Sequence, residues 1–179
     1  MTYDPTIHTL VTPLDRGAPQ RMRRLRELGI GDRPDPEFDE FAHELARITG
    51  APYAMVNFIS ENRQYFAGLY SPSMERGEPA DESERVMDKD HGWCPHVVVR
   101  QLALVLDDVC AYPRFAGNPV IDKIGIRAYL GAPLIDHTGA TLGTICVIDT
   151  QQREWGRDGL RIIKGIAADL VARIGQRVR

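Results

Sequence analysis

The sequence lacks the features of membrane proteins, secreted disulfide scaffolds and nucleic-acid-binding proteins. No apolar run approaches the roughly 20 residues that span a bilayer, and the N-terminus has neither the basic nor the apolar region of a signal peptide. The 3 cysteines are irregularly spaced and form no CxxC pair, which argues against a disulfide framework. A net charge of -3 gives no general attraction to nucleic acid. We therefore expect a cytoplasmic protein without a membrane or nucleic-acid partner.

The short motifs of common catalytic sites are also missing. The sequence contains no GxSxG, no Walker loop, no GxGxxG after a strand and no HExxH. No catalytic residue can be assigned from such motifs, and we predict a non-enzymatic protein.

What is present indicates one soluble domain. The 179 residues are 43% hydrophobic and 26% charged, which is ordinary for a globular protein with a substantial core. Residues 1–18 are rich in proline and show no periodicity, so we predict a flexible N-terminal tail there. Residues 19–179 are predicted to form a single domain that includes an N-terminal and a C-terminal helix.

Periodicity predicts helices around a run of strands, which is an α+β fold. Helices are expected over 20–28, from Glu37 to Gly50, from Pro95 to Leu102 and over 158–178. Strands are expected over 53–59, 64–70, 103–106, 126–135 and 141–149, with a turn at 136–140. The polar stretch 71–90 is predicted to be a mobile surface loop. The apolar stripe of the last helix is wide enough for the sheet and for a partner helix.

Two chemical hypotheses arise around Cys94. Asp88, Asp90, His91, Cys94 and His96 are metal-ligand residue types, but their spacing matches no specific zinc pattern, so a hydrogen-bonded helix start is favoured over a metal site. Cys94 also lies near a helix N-terminus, which lowers a thiol pKa. With Cys110 as a resolving partner it could act in a redox sensor or reductase. Cys146, inside an apolar strand, is expected to be a core residue.

Two arginines and a tyrosine are candidates for ligand recognition. A guanidinium binds carboxylate or phosphate in a forked geometry, and Arg114 and Arg127 are placed where this is possible. Arg127 is predicted on the same strand face as Tyr129, which is more suggestive than either residue alone. Both arginines could equally pair with neighbouring aspartates such as Asp107, Asp108 or Asp122.

The chain from Glu37 to the last helix resembles a GAF domain. It is similar to the GAF modules of bacterial sensor kinases and diguanylate cyclases. The matching segments are PDPEFDEFAHELARITGAPYAMVNFISENRQYF, Cys94-Pro95-His96, PRFAGNP, IRAYLGAPL and GxxLGTICVID. The cyclic-nucleotide NKFDE signature, the Cys-His pair of phytochrome-type bilin attachment and the cysteine pattern of free methionine sulfoxide reductases are missing.

The resemblance implies a central antiparallel sheet of five to six strands with terminal helices on one face. Loops and short helices between Tyr70 and Gly125 would cover the other face and enclose a pocket. We expect a sensory domain that binds an unknown small molecule and signals through a homodimer of terminal helices, with a signalling protein as a further partner. Haem, bilin and metal are not supported. The alternatives are the thiol redox sensor and a ligand-free interaction module. The candidate pocket residues are Asn57, Trp93, Cys94, His96, Arg114, Phe115, Arg127 and Tyr129.

Overall fold

A computed structural model describes residues 3–4, 9–10 and 12–177 of the chain. In chain order its elements are β1 (Tyr3–Asp4), β2 (Thr9–Leu10), α1 (Ala18–Glu27), α2 (Pro36–Thr49), β3 (Tyr53–Ile59), β4 (Arg63–Tyr70), α3 (Pro72–Glu75), β5 (Val86–Asp88), α4 (Cys94–Arg100), β6 (Leu104–Leu106), α5 (Pro119–Ile124), β7 (Ala128–Ile135), β8 (Thr141–Asp149) and α6 (Gly156–Gln176). Two 3-10 turns, at Glu82–Arg85 and Val109–Ala111, complete the order.

The N-terminal segment contains two paired strands. β1 and β2 are antiparallel, with Tyr3 opposite Leu10, and α1 begins at Ala18. Parts of the predicted tail, residues 1–18, lie outside the described residues, which resume at residue 12. Its flexibility, and the division of the chain into a tail and one domain, stay predictions.

The central sheet confirms the predicted α+β class. Six strands pair antiparallel in the order β5-β4-β3-β8-β7-β6. The predicted strand bounds match β3 and β8 and come within one residue of β4. β3 is buried on both faces, as its lack of a polar face predicted.

Local capping chemistry sets the ends of α2. The Asp35 side chain accepts a hydrogen bond from the backbone N–H of Glu37, and Pro36 takes the first helical position, where it loses no hydrogen bond. Gly50 ends the helix in the left-handed region, at a φ of 66°. The observed bounds, Pro36–Thr49, lie within one residue of the predicted ones at each end.

The segment 71–90 is more regular than predicted. It contains α3, a 3-10 turn and the edge strand β5, which pairs with β4. Arg85 is 5% exposed, and its guanidinium donates to Asp39 and to the carbonyl of Phe66. The prediction of a mobile loop was wrong about its structure, because this buried arginine fixes the segment against α2 and β4.

The predicted helix at Pro95 ends earlier than expected. Gln101 adopts a φ of 54° and terminates α4, so Leu102 lies beyond the helix and is 59% exposed. The following strand, β6, runs from Leu104 to Leu106.

Two apolar layers cover the sheet. The helical face carries Ala54, Val56, Leu142, Ile145 and Val147 against α1, α2 and α6. The opposite face, called the α4 face below, packs against α4 and the segment 107–127. It contains the buried apolar residues Met55, Phe66, Val97, Phe115 and Ile148. Within the described residues, no helix is both long and apolar enough to cross a membrane.

Candidate functional site

The α4 face contains polar groups at the centre of the sheet. Asn57 on β3, Gln64 on β4 and Thr144 on β8 are each no more than 1% exposed. Asn57 and Thr144 are paired positions on adjacent strands. Because successive residues of a strand point to opposite faces, these side chains share the side that α4 covers. Burying such groups costs free energy unless they find partners.

Three backbone carbonyls fix the orientation of two of these amides. Gln64 Nε2 donates to the carbonyls of Asp88 and His91 at 2.8 and 2.7 Å, with a longer contact to Lys89. Gln64 Oε1 therefore faces Asn57, whose Nδ2 donates to it at 2.8 Å. An amide has its two donors on one atom and its acceptor on the other. Asn57 Oδ1 must consequently point away from Gln64.

A second amide holds the segment that leads into α4. Asn118 Nδ2 donates to the carbonyl of Gly92 at 2.8 Å, and Asn118 Oδ1 accepts from the N–H of Gly92 at 2.9 Å. Together with Gln64, this side chain attaches segment 88–92 to the domain. Beyond the short pairing of β5 with β4, segment 88–92 is held by hydrogen bonds from these side chains and not by further strand pairing.

Four buried polar atoms on the α4 face have no hydrogen-bond partner among the described residues. They are Asn57 Oδ1, Thr144 Oγ1, Trp93 Nε1 and His96 Nδ1. Buried polar atoms in native proteins are nearly always paired with protein or ordered water. Four exceptions on one face indicate a place where a water molecule or a ligand supplies the missing bonds.

Two thiols and a phenol lie within the same layer. Cys94 Sγ is 3.6 Å from Cys146 Sγ and 3.3 Å from the hydroxyl of Tyr129. The Tyr129 ring runs along its own strand over Gly131, where an added Cβ would lie 2.2 Å from the tyrosine oxygen. Trp93 packs on the same ring, with centroids 5.5 Å apart. A side chain at position 131 would therefore displace the phenol from the thiol.

The contacts separate the pKa values of the two thiols. A hydrogen bond from Cys146, against the cost of burial, lowers the pKa of Cys94 to about 6, with Thr144, Tyr129 and Asn57 contributing. Thr144 acts here by proximity, since its hydroxyl makes no hydrogen bond of normal geometry. The same bond, together with burial, raises the pKa of Cys146 well above its usual range. The contact between the two thiols therefore favours ionisation of Cys94 over ionisation of Cys146.

His96 lies in the outer part of the same face. Its ring meets Phe115 edge to face, with centroids 5.2 Å apart, and the guanidinium of Arg114 lies 4.7 Å from the centre of Phe115. Burial, with the nearby positive charges of Arg114 and Arg100, lowers the pKa of His96 to about 4. The imidazole is therefore neutral at pH 7.

The structure brings six of the eight predicted pocket residues together. These are Asn57, Trp93, Cys94, His96, Phe115 and Tyr129, all buried on the α4 face. Arg114 is exposed and lies over the outer side of Phe115.

Arg127 departs from the predicted geometry. It precedes β7 rather than lying within it, and its Nη2 donates to Asp108 Oδ2 at 3.0 Å. The predicted pairing with an aspartate is thus the one observed. Arg127 lies just before the start of β7 and is partly exposed, whereas Tyr129 is buried, so Arg127 does not join the buried layer around Tyr129.

The structure places Cys146, and not Cys110, in contact with Cys94. Cys110 is exposed in the 3-10 turn after β6. Sequence reasoning had placed Cys146 in the core and had not singled out Gln64 or Thr144. The available signal was alternation along β8, which puts Thr144 and Cys146 on one face.

The predicted metal-ligand residues do not assemble into a cluster. His91 Nε2 lies 3.6 Å from Asp88 Oδ2, while Cys94 and His96 are buried within α4. In the part of the chain that the structure describes, no group of three or more His, Cys, Asp or Glu side chains is arranged to hold a metal ion.

Comparison with known proteins identifies the family. The sequence pattern of the GAF domain matches residues 33–174, most of the chain. The chain belongs to the GAF domain family. This GAF domain is also 27% identical over 135 residues to a cyclic di-GMP phosphodiesterase of Pseudomonas aeruginosa. That match covers 74% of this chain and 21% of the relative, so the chain spans about a fifth of that protein's length.

Solved structures confirm the fold. The GAF domain of an Acinetobacter phosphoenolpyruvate-protein phosphotransferase superposes with a TM-score of 0.61 at 14% identity, covering 92% of this chain and 96% of that one. Residues 122 to 287 of a methyl-accepting chemotaxis protein give 0.62 at 13% identity, covering 90% and 96%. A free methionine-R-sulfoxide reductase from Neisseria meningitidis gives 0.61 at 14%, covering 96% of each chain. At these identities the likeness concerns the fold alone.

Proposed function

We propose that this GAF domain is a sensory module that binds a small polar molecule between α4 and the sheet. The observation that carries the proposal is the set of four unpartnered buried atoms on Asn57, Trp93, His96 and Thr144. Apolar groups of similar shape at these positions would leave the free energy of unfolding nearly unchanged, so stability alone does not explain why polar groups are present. Their retention is accounted for by a ligand that completes their hydrogen bonds.

The chemistry of these atoms indicates an uncharged, flat ligand. Trp93 Nε1 is a donor, Asn57 Oδ1 is an acceptor, and the Thr144 hydroxyl serves as either. The His96 ring is neutral because its pKa is about 4. The rings of Trp93 and Tyr129 add an apolar surface. An amide-bearing heterocycle, such as a nucleobase or a nucleoside, fits this combination.

Entry of the ligand requires segment 88–92 and α4 to move. Trp93, His96 and Phe115 are each less than 5% exposed in the structure. The side-chain bonds from Gln64 and Asn118 hold the segment, and such contacts open at lower free energy than a strand ladder. We infer that ligand binding changes the position of α4, which is the motion that a sensor would transmit.

The test is thermal unfolding with a panel of nucleobases, nucleosides, cyclic mononucleotides and dinucleotides, amino acids and small amides. A ligand that binds only the folded protein raises the melting temperature, and the shift grows with the logarithm of the ligand concentration once that exceeds the Kd. Thr144→Val should abolish the shift given by the positive compound. Thr141→Val is the matched control, because Thr141 lies on the same strand and its hydroxyl accepts from Gln101 at 2.8 Å. No shift with any compound, or the same shift in Thr144→Val, would contradict the proposal.

The Pseudomonas relative suggests where such sensing is used. That protein is a cyclic di-GMP phosphodiesterase, and the match spans 21% of its length. We infer that the present domain supplies a regulatory input to a signalling output, through a partner protein or a linked domain. Activity of such an output, measured with and without the positive compound of the panel, is the corresponding test.

We further propose self-association along the terminal helices. Leu160 and Val171 of α6 are half-buried, and with Leu102 and Ile135 they line an apolar cleft of about 490 Å³. Leu102 is 59% and Ile135 is 37% exposed. Light scattering should give twice the chain mass of 20.1 kDa, and Val171→Asp should give the monomer. Arg161→Asp, on the exposed side of α6, should remain dimeric; a monomeric wild type would overturn the proposal.

A further inference from the structure

Two buried thiols face each other under α4. Cys94 begins the helix and Cys146 lies in the middle of β8, and their sulfur atoms are 3.6 Å apart. The residues are 5% and 0% exposed. To reach the disulfide bond length of about 2.05 Å, the sulfur atoms must approach by about 1.6 Å. This contact joins two elements that are 52 residues apart in the chain.

The surroundings favour ionisation of one of the two. The hydroxyl of Tyr129 is 3.3 Å from Cys94 Sγ, and Gly131 leaves the space that the phenol occupies. With Cys146 as a hydrogen-bond donor, these contacts lower the pKa of Cys94 to about 6. A thiolate, rather than a thiol, is the nucleophile in thiol oxidation.

We propose that Cys94 and Cys146 are a redox pair that forms a reversible intramolecular disulfide in response to a hydroperoxide. The proposal stands on the position of the two thiols and requires no ligand on the α4 face. It replaces the pairing with Cys110, which is exposed in a separate turn.

The reaction proceeds in two balanced steps. The Cys94 thiolate attacks the outer oxygen of a hydroperoxide ROOH, forming an S–O bond, breaking the O–O bond and giving sulfenic acid and ROH after proton uptake. Cys146 then attacks the sulfur of the sulfenic acid, forming the S–S bond and releasing water. The sum is two thiols and ROOH giving one disulfide, ROH and water. A dithiol reverses the change by thiol–disulfide exchange.

The disulfide would attach α4 covalently to the centre of the sheet. In the reduced protein, segment 88–92 before α4 is held mainly by side chains of Gln64 and Asn118. A covalent bond at Cys94 would prevent the first turn of α4 from leaving β8. Oxidation is thus expected to hold α4 in the position that the structure describes.

Mass spectrometry provides a direct test on the wild-type chain. The protein is treated with hydrogen peroxide, denatured, blocked with N-ethylmaleimide and digested with trypsin. The three cysteines fall on different tryptic peptides, 90–100, 101–114 and 128–153. We expect the peptides of Cys94 and Cys146 to appear linked with the loss of two hydrogens, and to separate after dithiothreitol. Oxidation confined to Cys110, or Cys94 over-oxidised without a link, would overturn the proposal.

Variants sharpen the assignment. Cys110→Ser, the matched control, should form the same link, whereas Cys94→Ser and Cys146→Ser should each abolish it. If Cys94→Ser or Cys146→Ser fails to fold, the peptide linkage in the wild-type protein still tests the proposal. Loss of the link in Cys110→Ser would identify Cys110 as the true partner and would also overturn the proposal.

Discussion

The two faces of the central sheet are built from the same strands and differ in chemistry. On the helical face, Leu142, Ile145 and Val147 of β8 pack against an apolar layer. The charges near this layer are at its rim and are paired, as Arg177 is with Asp35. On the α4 face, the alternate residues of the same strand include Thr144 and Cys146, beside the unpartnered Asn57 oxygen. Both faces therefore bury an apolar layer, and only the α4 face combines that layer with unpartnered polar atoms at the centre of the sheet.

The largest expected effect is on the helical face. Leu170 of α6 is 0% exposed. Leu170→Ala should lower the free energy of unfolding by about 3 kcal/mol, because it removes buried methyl groups and leaves a cavity. Urea unfolding at neutral pH measures the change. Leu14→Ala, at a leucine that is 70% exposed, is the control, with an expected loss below about 0.5 kcal/mol. Equal losses in both variants would mean that α6 does not anchor the core.

The second prediction concerns the α4 face and pH. Burial holds the pKa of His96 at about 4, below the ordinary histidine value of 6.5. The unfolded chain therefore binds the proton first as pH falls, and stability contributed by the neutral ring is lost between 6.5 and 4. The loss by about pH 5 should be about 2 kcal/mol. Urea unfolding at about pH 7.5 and about pH 5 should show this slope in the wild type and a flatter one in His96→Leu. The same pH dependence in the wild type and in His96→Leu would mean that the His96 side chain is solvated in the folded protein.

The helical face was predicted well from the sequence, because the regular spacing of apolar residues along a helix or strand indicates which side is buried. In the predicted stripe of α6, Leu160 is half-buried and the other members, Ile163, Ala167, Leu170 and Ile174, are buried. The turn predicted at 136–140 is present, with Gly139 at a φ of 81°. β5 was missed, because three residues at a sheet edge have too short a pattern to read and its pairing with β4 is long-range.

The α4 face was predicted only in part. Asn57 and Tyr129 were recognised as polar groups on apolar strands, and both are buried there. Thr144 and Cys146 sit in an apolar run, and their importance depends on what the fold brings opposite them: Asn57 for one and Cys94 for the other. For Arg127 the sequence left a ligand and a neighbouring aspartate equally possible, and the structure pairs it with Asp108, which the chain brings to it just after β6.

The third prediction tests how tightly the α4 face is packed. Gly131→Ala would place a methyl group 2.2 Å from the Tyr129 oxygen. Such overpacking should cost about 2 kcal/mol and move the phenol away from Cys94. The pH midpoint of Cys94 alkylation by iodoacetamide should then rise. Tyr129→Phe, which removes the hydroxyl without overpacking, should raise the same midpoint with a smaller loss of stability. An unchanged midpoint in both variants would mean that the phenol does not influence the thiol.

The smallest expected effects come from two threonines of one strand. They compare a buried hydroxyl that has no hydrogen-bond partner with a hydroxyl that has one. Thr144→Val removes a buried hydroxyl that has no partner among the described residues. The free energy of unfolding should therefore rise by about 1 kcal/mol. Thr141→Val removes a hydroxyl that accepts from Gln101 at 2.8 Å, and should destabilise by about 1 kcal/mol. Urea unfolding of both ligand-free variants in one buffer measures the difference. Changes of opposite sign in the free energy of unfolding would support the distinction between the unpartnered hydroxyl of Thr144 and the bonded hydroxyl of Thr141. A loss in both would show that the Thr144 hydroxyl is already bonded in the free protein, by water or by the Cys94 sulfur, and the polarity of this face would then need no ligand to explain it.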